Sequence, residues 1–257
     1  MEASLEGLVV AGIDVPISMY PHVAQLFFKK QLCGGSIISE RVILTAAHCL
    51  FGDDGQVVLP NEVMVYLGSD WLREGANYNI CKLVPHENYS GRNEISFYYY
   101  DLGLVSLQEK IKFGRSVKMM KIANTESFRN EKFGFTIAGF GAVSSSFPSG
   151  PSIKLKATRM YYVSTKKCNE SQSFRNVMNV PDHMFCMIGK GWASDCYGDS
   201  GSGIIWKRSL VGVVALGRDI FCGSDMLPSM YTDIVYFRKW VTEKVIELES
   251  LPVEQCG

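Results

Sequence analysis

The sequence is defined first by what it lacks. No apolar run approaches the roughly 20 residues that a membrane-spanning helix requires. Lysine plus arginine and aspartate plus glutamate balance at 26 each, so no overall field draws the chain to nucleic acid or to an anionic membrane. The 8 cysteines include no CxxC pair, which disfavours a zinc site. No internal repeat is found. Met1 to Leu8 has neither the cationic start nor the apolar middle of a secretory signal, so the chain is expected to be a processed form.

What remains is a chain of 257 residues, 47% hydrophobic, enough to bury a core in one large domain or two packed halves. An even number of widely spaced cysteines suits four disulfides in an oxidising compartment, and a secreted, extracellular location is expected. Asn88-Tyr89-Ser90 and Asn169-Glu170-Ser171 both fit the glycosylation acceptor, consistent with that route.

Short strand-like segments separated by Gly, Asn, Asp and Pro recur through the chain. In the first half they are His22 to Phe28, Gly35 to Ile38, Val42 to Thr45, Val63 to Leu67, Ile80 to Val84 and Leu102 to Val105. A more polar passage from Glu109 to Lys121 is the best connection between halves. Beyond it lie Phe135 to Gly139, Leu155 to Met160, Gly203 to Trp206 and Leu210 to Leu216. The spacing predicts an all-β fold of paired barrels, because closure removes exposed strand edges. The end differs: from Asp233, a candidate N-cap, the residues Ile234, Phe237, Val241, Val245 and Leu248 recur at helical spacing. That stripe predicts one amphipathic terminal helix with its apolar face in the core.

Chemistry concentrates at Ser194-Asp195-Cys196-Tyr197-Gly198-Asp199-Ser200-Gly201-Ser202-Gly203. Glycines there permit backbone conformations that side chains forbid, so a carbonyl could approach the Ser200 hydroxyl and nearby N–H groups together. A serine between glycines is ordinarily a turn, and needs partners before it means more. Of the 4 histidines, His48 stands out in Thr45-Ala46-Ala47-His48-Cys49, where small neighbours leave the imidazole room. Asp101 precedes an apolar strand, a setting that buries a carboxylate and demands a partner for it.

The order His48, Asp101, Ser200, with Gly198-Asp199-Ser200-Gly201 at the serine, resembles the chymotrypsin family of serine proteases. Cys33-Gly34-Gly35-Ser36, Asp101-Leu102-Gly103-Leu104, Gly139-Phe140-Gly141 and Pro228-Ser229-Met230-Tyr231-Thr232 extend the likeness over nearly the whole chain. The resemblance implies two packed six-stranded antiparallel β-barrels with a C-terminal α-helix. It divides the chain into an activation remnant (residues 1–8), a first barrel (9–115) and a second barrel with terminal helix and tail (116–257). Ser200 would attack a scissile carbonyl, His48 would move the proton and Asp101 would orient the imidazole. Backbone N–H groups of Gly198 and Ser200 would form the oxyanion hole. A Gly-x-Ser-x-Gly esterase elbow fits less well, since residue 202 is serine and the partners precede the nucleophile.

The resemblance also implies a precursor in which cleavage of Leu8–Val9 frees the Val9 amino group to pair with Asp199. No Lys or Arg precedes that bond, so the activating protease would favour apolar residues, and self-activation is open. Disulfides Cys33–Cys49, Cys168–Cys186 and Cys196–Cys222 follow from the family pattern. Cys81 and Cys256 remain and are expected to join, the alternatives being a free tail thiol or an intermolecular bridge. Phe135 and Trp206 stand where a further family bridge would lie.

The specificity pocket would draw on Ser194 at its base, with Asp195, Gly217 and Ser229 on its walls. A neutral base implies large apolar residues on the acyl side of the cut bond, whereas Asp195 leaves Lys or Arg as the alternative. Ala215, Leu216 and Gly217 match the edge strand that pairs with substrate backbone, but the family's usual Ser-Trp is replaced by Ala215-Leu216. That departure keeps open a catalytically weak or silent homologue acting as a binding or cofactor protein. Peptide or protein substrates and protein inhibitors are the implied partners of a monomer. No cofactor is implied, and residues 67–84 lack the carboxylate cage a calcium ion would need.

Overall fold

The computed structural model describes residues 12–28, 31–91, 99–130, 134–143, 150–171, 174, 179–191, 193–215, 222 and 227–256. Leu8, Val9, Leu216 and Gly217 lie outside them. The strands are β1 (Ile13–Asp14), β2 (Val23–Phe28), β3 (Gln31–Ile37), β4 (Val42–Thr45), β5 (Val63–Leu67), β6 (Ala76–Tyr78), β7 (Ile80–Pro85) and β8 (Gly103–Leu107). They continue as β9 (Phe135–Gly139), β10 (Lys156–Val163), β11 (Met184–Gly189), β12 (Gly203–Trp206), β13 (Ser209–Val213) and β14 (Ser229–Asp233). Helix α1 spans Thr165–Glu170 and α2 spans Arg238–Glu249.

Two barrel-like antiparallel sheets result, ordered β6-β5-β2-β3-β4-β8-β7 and β1-β10-β11-β14-β13-β12-β9. Pairing of β9 with β10 closes six strands of the second sheet into a ring. The additional strand is β1, whose 2 residues pair with Ala157 and Lys156 on the flank of β10. The first sheet likewise carries the 3-residue β6 at its edge, against β5.

Side-chain pattern explains the placing. In β5, Val63, Val65 and Leu67 turn inward while Met64 turns to solvent, the period-2 alternation of a half-buried strand. All four residues of β4 are buried, because both of its faces are covered. One core cluster fills the first sheet with Leu26, Val65 and Leu104, and a second gathers Phe128, Phe135, Phe185, Trp206 and Tyr231. The aromatics Phe135 and Trp206 are therefore packed in the same core.

The terminal stripe joins the first of these clusters: Ile234, Phe237, Val241 and Leu248 are all buried in it. Asp233, however, does not cap α2. Its Oδ1 accepts from the N–H groups of Val235 (2.8 Å) and Tyr236 (3.1 Å), closing a turn, and the helix begins at Arg238 behind Phe237. Arg129 meets the other oxygen of Asp233 at 2.5 Å, so the buried carboxylate is paired. Four disulfides cross-link the chain: Cys33–Cys49, Cys81–Cys256, Cys168–Cys186 and Cys196–Cys222. The second ties the tail beyond α2 to β7 in the first sheet.

Candidate active site

The register of β4 against β8 brings the first two candidates together. Thr45 pairs with Gly103, so His48 leaves that end of the sheet three residues later and Asp101 enters it two residues earlier. Asp101 is fully buried. Its Oδ1 accepts the backbone N–H of His48 at 2.8 Å and its Oδ2 lies 2.7 Å from His48 Nδ1. Beside a carboxylate, Nδ1 carries the proton and Nε2 presents its lone pair on the opposite edge of the ring.

Ser200 comes from the other sheet, just before β12. Cys49 Sγ joins the two: it lies 3.7 Å from His48 Nε2 and 3.8 Å from the Ser200 carbonyl oxygen. The serine turn is pinned by Gly34 N–H to Ser200 O at 2.7 Å and by Gly201 N–H to Val214 O at 2.8 Å. Gly198 and Gly201 have φ of 95° and 83°, the left-handed region that glycine enters without penalty. Asp199 N–H donates to Cys196 O at 2.9 Å, while among the described residues the N–H groups of Gly198 and Ser200 have no acceptor. Those two amides stay available to an incoming oxygen.

Asp199 is buried, accepting from Gly141 N–H at 2.9 Å and Cys196 N–H at 3.0 Å. Burial pushes its carboxyl up to about 7, since two neutral donors only partly replace water. Asp195 is buried as well, and its Oδ1 accepts the Tyr231 hydroxyl at 2.5 Å. Burial raises the Asp195 carboxyl, against the lowering effect of that hydrogen bond. The Ser194 hydroxyl donates to the carbonyl of Asp195. Ser229 opens β14, where Met187 is its register partner. Ala215 packs in a small cluster with Cys168, Phe174 and Met230.

The other histidines serve elsewhere. His22 is buried with its pKa pushed to about 4 by desolvation. His86 and His183 stack on either side of Tyr100, a grouping without an evident signal in the sequence. Cys33, His48 and Cys49 hold their ligand atoms within 4.8 Å of one another, but both sulfurs are spent in a disulfide and offer no thiolate to a metal.

A histidine and a buried aspartate from one barrel, facing a serine turn from the other, make the protein a serine endopeptidase of the chymotrypsin-like class. Comparison with known proteins narrows this further. The chain belongs to the trypsin family, whose model, Trypsin, matches residues 9–241. Trypsin theta of Drosophila melanogaster is 31% identical over 241 residues, covering 92% of this chain and 86% of that protein. Hypodermin-B of Hypoderma lineatum is 29% identical over 248 residues, covering 95% and 90%. Among solved structures, neuropsin, a serine protease expressed in the limbic system of mouse brain, superposes with a TM-score of 0.77 at 26% identity, over 91% of this chain and 98% of its own.

Proposed function

We propose that Ser200 is the nucleophile of a peptide-bond hydrolase working through an acyl-enzyme. The carrying observation is the 2.7 Å contact of Asp101 Oδ2 with His48 Nδ1, which leaves Nε2 as the base. Ser200 Oγ attacks the scissile carbonyl as His48 Nε2 takes its proton. The same nitrogen returns the proton to the leaving amine, and water then repeats the sequence to release the acyl group. Gly198 and Ser200 N–H groups hold the oxyanion, and Asp101 stabilises the imidazolium.

The chain is secreted as a precursor and gains full activity when Leu8–Val9 is cut. Asp199 supports this reading: a buried carboxyl whose donors among the described residues are neutral gains most from an arriving ammonium such as that of Val9. An activator with apolar preference fits Leu8.

The substrate preference is for large apolar residues on the acyl side of the cut bond. Asp195 supports it, because its carboxyl is engaged by Tyr231 within the wall and burial favours its neutral form. Recognition of Lys or Arg is the second reading, favoured by that same carboxyl following Ser194, the proposed pocket base, in the sequence. Fluorophosphonate labelling after cleavage at Leu8–Val9 tests the chemistry: the parent labels and Ser200→Ala does not. Absence of labelling in the parent would leave the silent-homologue reading. A peptide-library cleavage profile of the activated protein then decides between apolar and basic preference.

A further inference from the structure

We propose that Tyr100 is a positioning residue for the catalytic pair, its ring clamped between His86 and His183 so as to fix the turn that carries Asp101. The proposal rests on the reading of His48 and Asp101 as catalytic.

Among the described residues, both donors to the Asp101 carboxylate come from His48 itself. They tie the Asp101 carboxylate to the ring and to the main chain of His48. The position of Asp101 is further fixed through its own main chain. Thr232 Oγ1 donates to its carbonyl at 2.9 Å, and Leu102 N–H reaches back to Tyr100 O at 2.7 Å, drawing residues 100–102 into a tight turn.

That turn is strained at one point. Tyr100 has φ of 58°, a left-handed conformation that a bulky aromatic residue holds only where its surroundings over-determine it. The surroundings here are aromatic. His183 stacks on the ring at 4.7 Å and 15°, His86 at 5.1 Å and 26°, and Phe237 meets it edge-on at 5.8 Å. Each partner comes from a different part of the fold: His86 follows β7 of the first sheet, His183 precedes β11 of the second, and Phe237 precedes α2. Trp240 of α2 backs His86 at 4.7 Å, and Tyr99 and Tyr236 flank His183 at 5.4 and 5.9 Å. One ring thus ties both barrels and the terminal helix to the peptide before Asp101.

The stack uses neutral imidazoles. His86 Nδ1 accepts from Asn88 N–H at 3.2 Å, so that nitrogen carries no proton, although Glu87 Oε2 lies 4.0 Å away. Glu87 is instead occupied by Trp240 Nε1 at 2.6 Å and Lys244 at 3.2 Å. Among the described residues His183 Nε2 is buried without a partner, and Asp182 is the charged group that faces it. Burial holds both imidazoles below the usual histidine range. At neutral pH the ring of Tyr100 is therefore packed between two uncharged planes.

Without the ring, the 100–102 turn relaxes and Asp101 drifts from His48 Nδ1. Because Asp101 acts on the imidazole and not on substrate, the loss falls on kcat. The test compares the cleaved enzyme with Tyr100→Ala, Tyr100→Phe and Tyr100→Asn variants, reading kcat, KM and the acidic limb of the pH profile. Tyr100→Ala should lower kcat by about 10- to 100-fold, the cost of misplacing a catalytic group by up to about 1 Å. KM should stay within about twofold, and the acidic limb should move to lower pH as the imidazole loses its aligned carboxylate. Tyr100→Phe should restore all three values. Asparagine enters the left-handed region but brings no ring, so Tyr100→Asn should resemble Tyr100→Ala. Parent-like kinetics in either the Ala or the Asn variant overturns the proposal, as does a loss confined to stability with the acidic limb unmoved. Should Tyr100→Ala fail to fold, His183→Ala against His183→Phe removes or keeps one face of the clamp with the same expected split. A parent enzyme that takes no fluorophosphonate label refutes the catalytic reading itself. Equal labelling rates in the parent and Tyr100→Ala refute only the clamp.

Discussion

Asp195 and Tyr231 share a buried hydrogen bond of 2.5 Å, and Asp195 stands four residues before a second buried carboxyl at Asp199. Burial raises both carboxyls, and the charge of Asp195 further raises Asp199. Two buried acids so placed cannot both ionise cheaply. This coupling links the Asp195–Tyr231 contact to the carboxyl beside Ser200.

Asp195→Asn keeps a partner for the Tyr231 hydroxyl and removes the ionisable group. Under the apolar reading, kcat/KM on substrates with Phe, Tyr or Leu on the acyl side changes by less than about threefold. Under the basic reading, kcat/KM on Lys and Arg substrates falls by about 100-fold or more, the loss of a buried charge pair. Steady-state rates on a matched pair of peptide anilides separate the two outcomes, and a 100-fold loss on Arg would retire the apolar preference.

Asp199 makes the stability of the chain sensitive to pH. Its folded pKa of about 7 stands above the ordinary 3.8, so the folded state binds the proton more tightly than the unfolded state. Its contribution is therefore fullest at low pH and is lost as pH rises from about 4 to about 7, by up to about 4 kcal/mol. His22 has the opposite sign. Its folded pKa of about 4 lies below 6.5, so its contribution is present at higher pH and is lost on acidification. Comparison with Asp199→Asn isolates the carboxyl. In a Ser200→Ala background with residues 1–8 attached, the difference in urea midpoint between the two proteins should grow from pH 4.5 to pH 7.5, in favour of Asn. A flat difference would refute the buried-acid account.

Cys81–Cys256 closes a loop of 175 residues and holds the tail after α2 against β7. The bond joins β7 to the tail, segments that carry none of His48, Asp101 and Ser200, so it should matter for stability and not for chemistry. Replacing both cysteines by serine should cost about 2–4 kcal/mol in urea unfolding. Fluorophosphonate labelling should keep its rate. A drop in labelling without a drop in stability would contradict this division.

Much of this fold is legible where local pattern and tertiary burial agree. The bounds of β4, β5, β9 and β12 coincide with the apolar runs Val42–Thr45, Val63–Leu67, Phe135–Gly139 and Gly203–Trp206. Strands β1 and β6 escape such reading, because 2 or 3 partly polar residues become strands only through the neighbour that pairs with them. Helix α1 is too short to show a period and is marked only by Ser164, whose side chain accepts from Lys167 N–H. The start of α2 was masked by Asp233, a good capping residue that closes the preceding turn instead. Within the site, His48, Asp101 and Ser200 could be singled out by residue type and order. The roles of Tyr100, His86 and His183 could not, since ring stacking across two sheets leaves no trace in spacing.

Gly201, the residue after Ser200, packs tightly against the first barrel. Its φ of 83° lies in the left-handed region that side chains rarely adopt. A Cβ there would lie 2.2 Å from Thr45 Oγ1 and 2.4 Å from Gly34 O, the latter a main-chain atom that also accepts from Thr45 Oγ1 at 2.8 Å. Gly201→Ala should push the turn away from His48, weakening the Gly34 N–H to Ser200 O bond that registers it. Overpacking of this kind costs about 1–3 kcal/mol, so the protein should still fold. The rate of fluorophosphonate labelling should fall by about 100-fold. Adding Thr45→Ala removes one clash and leaves the main-chain one, so the double variant should recover little. Full recovery would show that the turn answers only to Thr45, and that its backbone contact with Gly34 has slack.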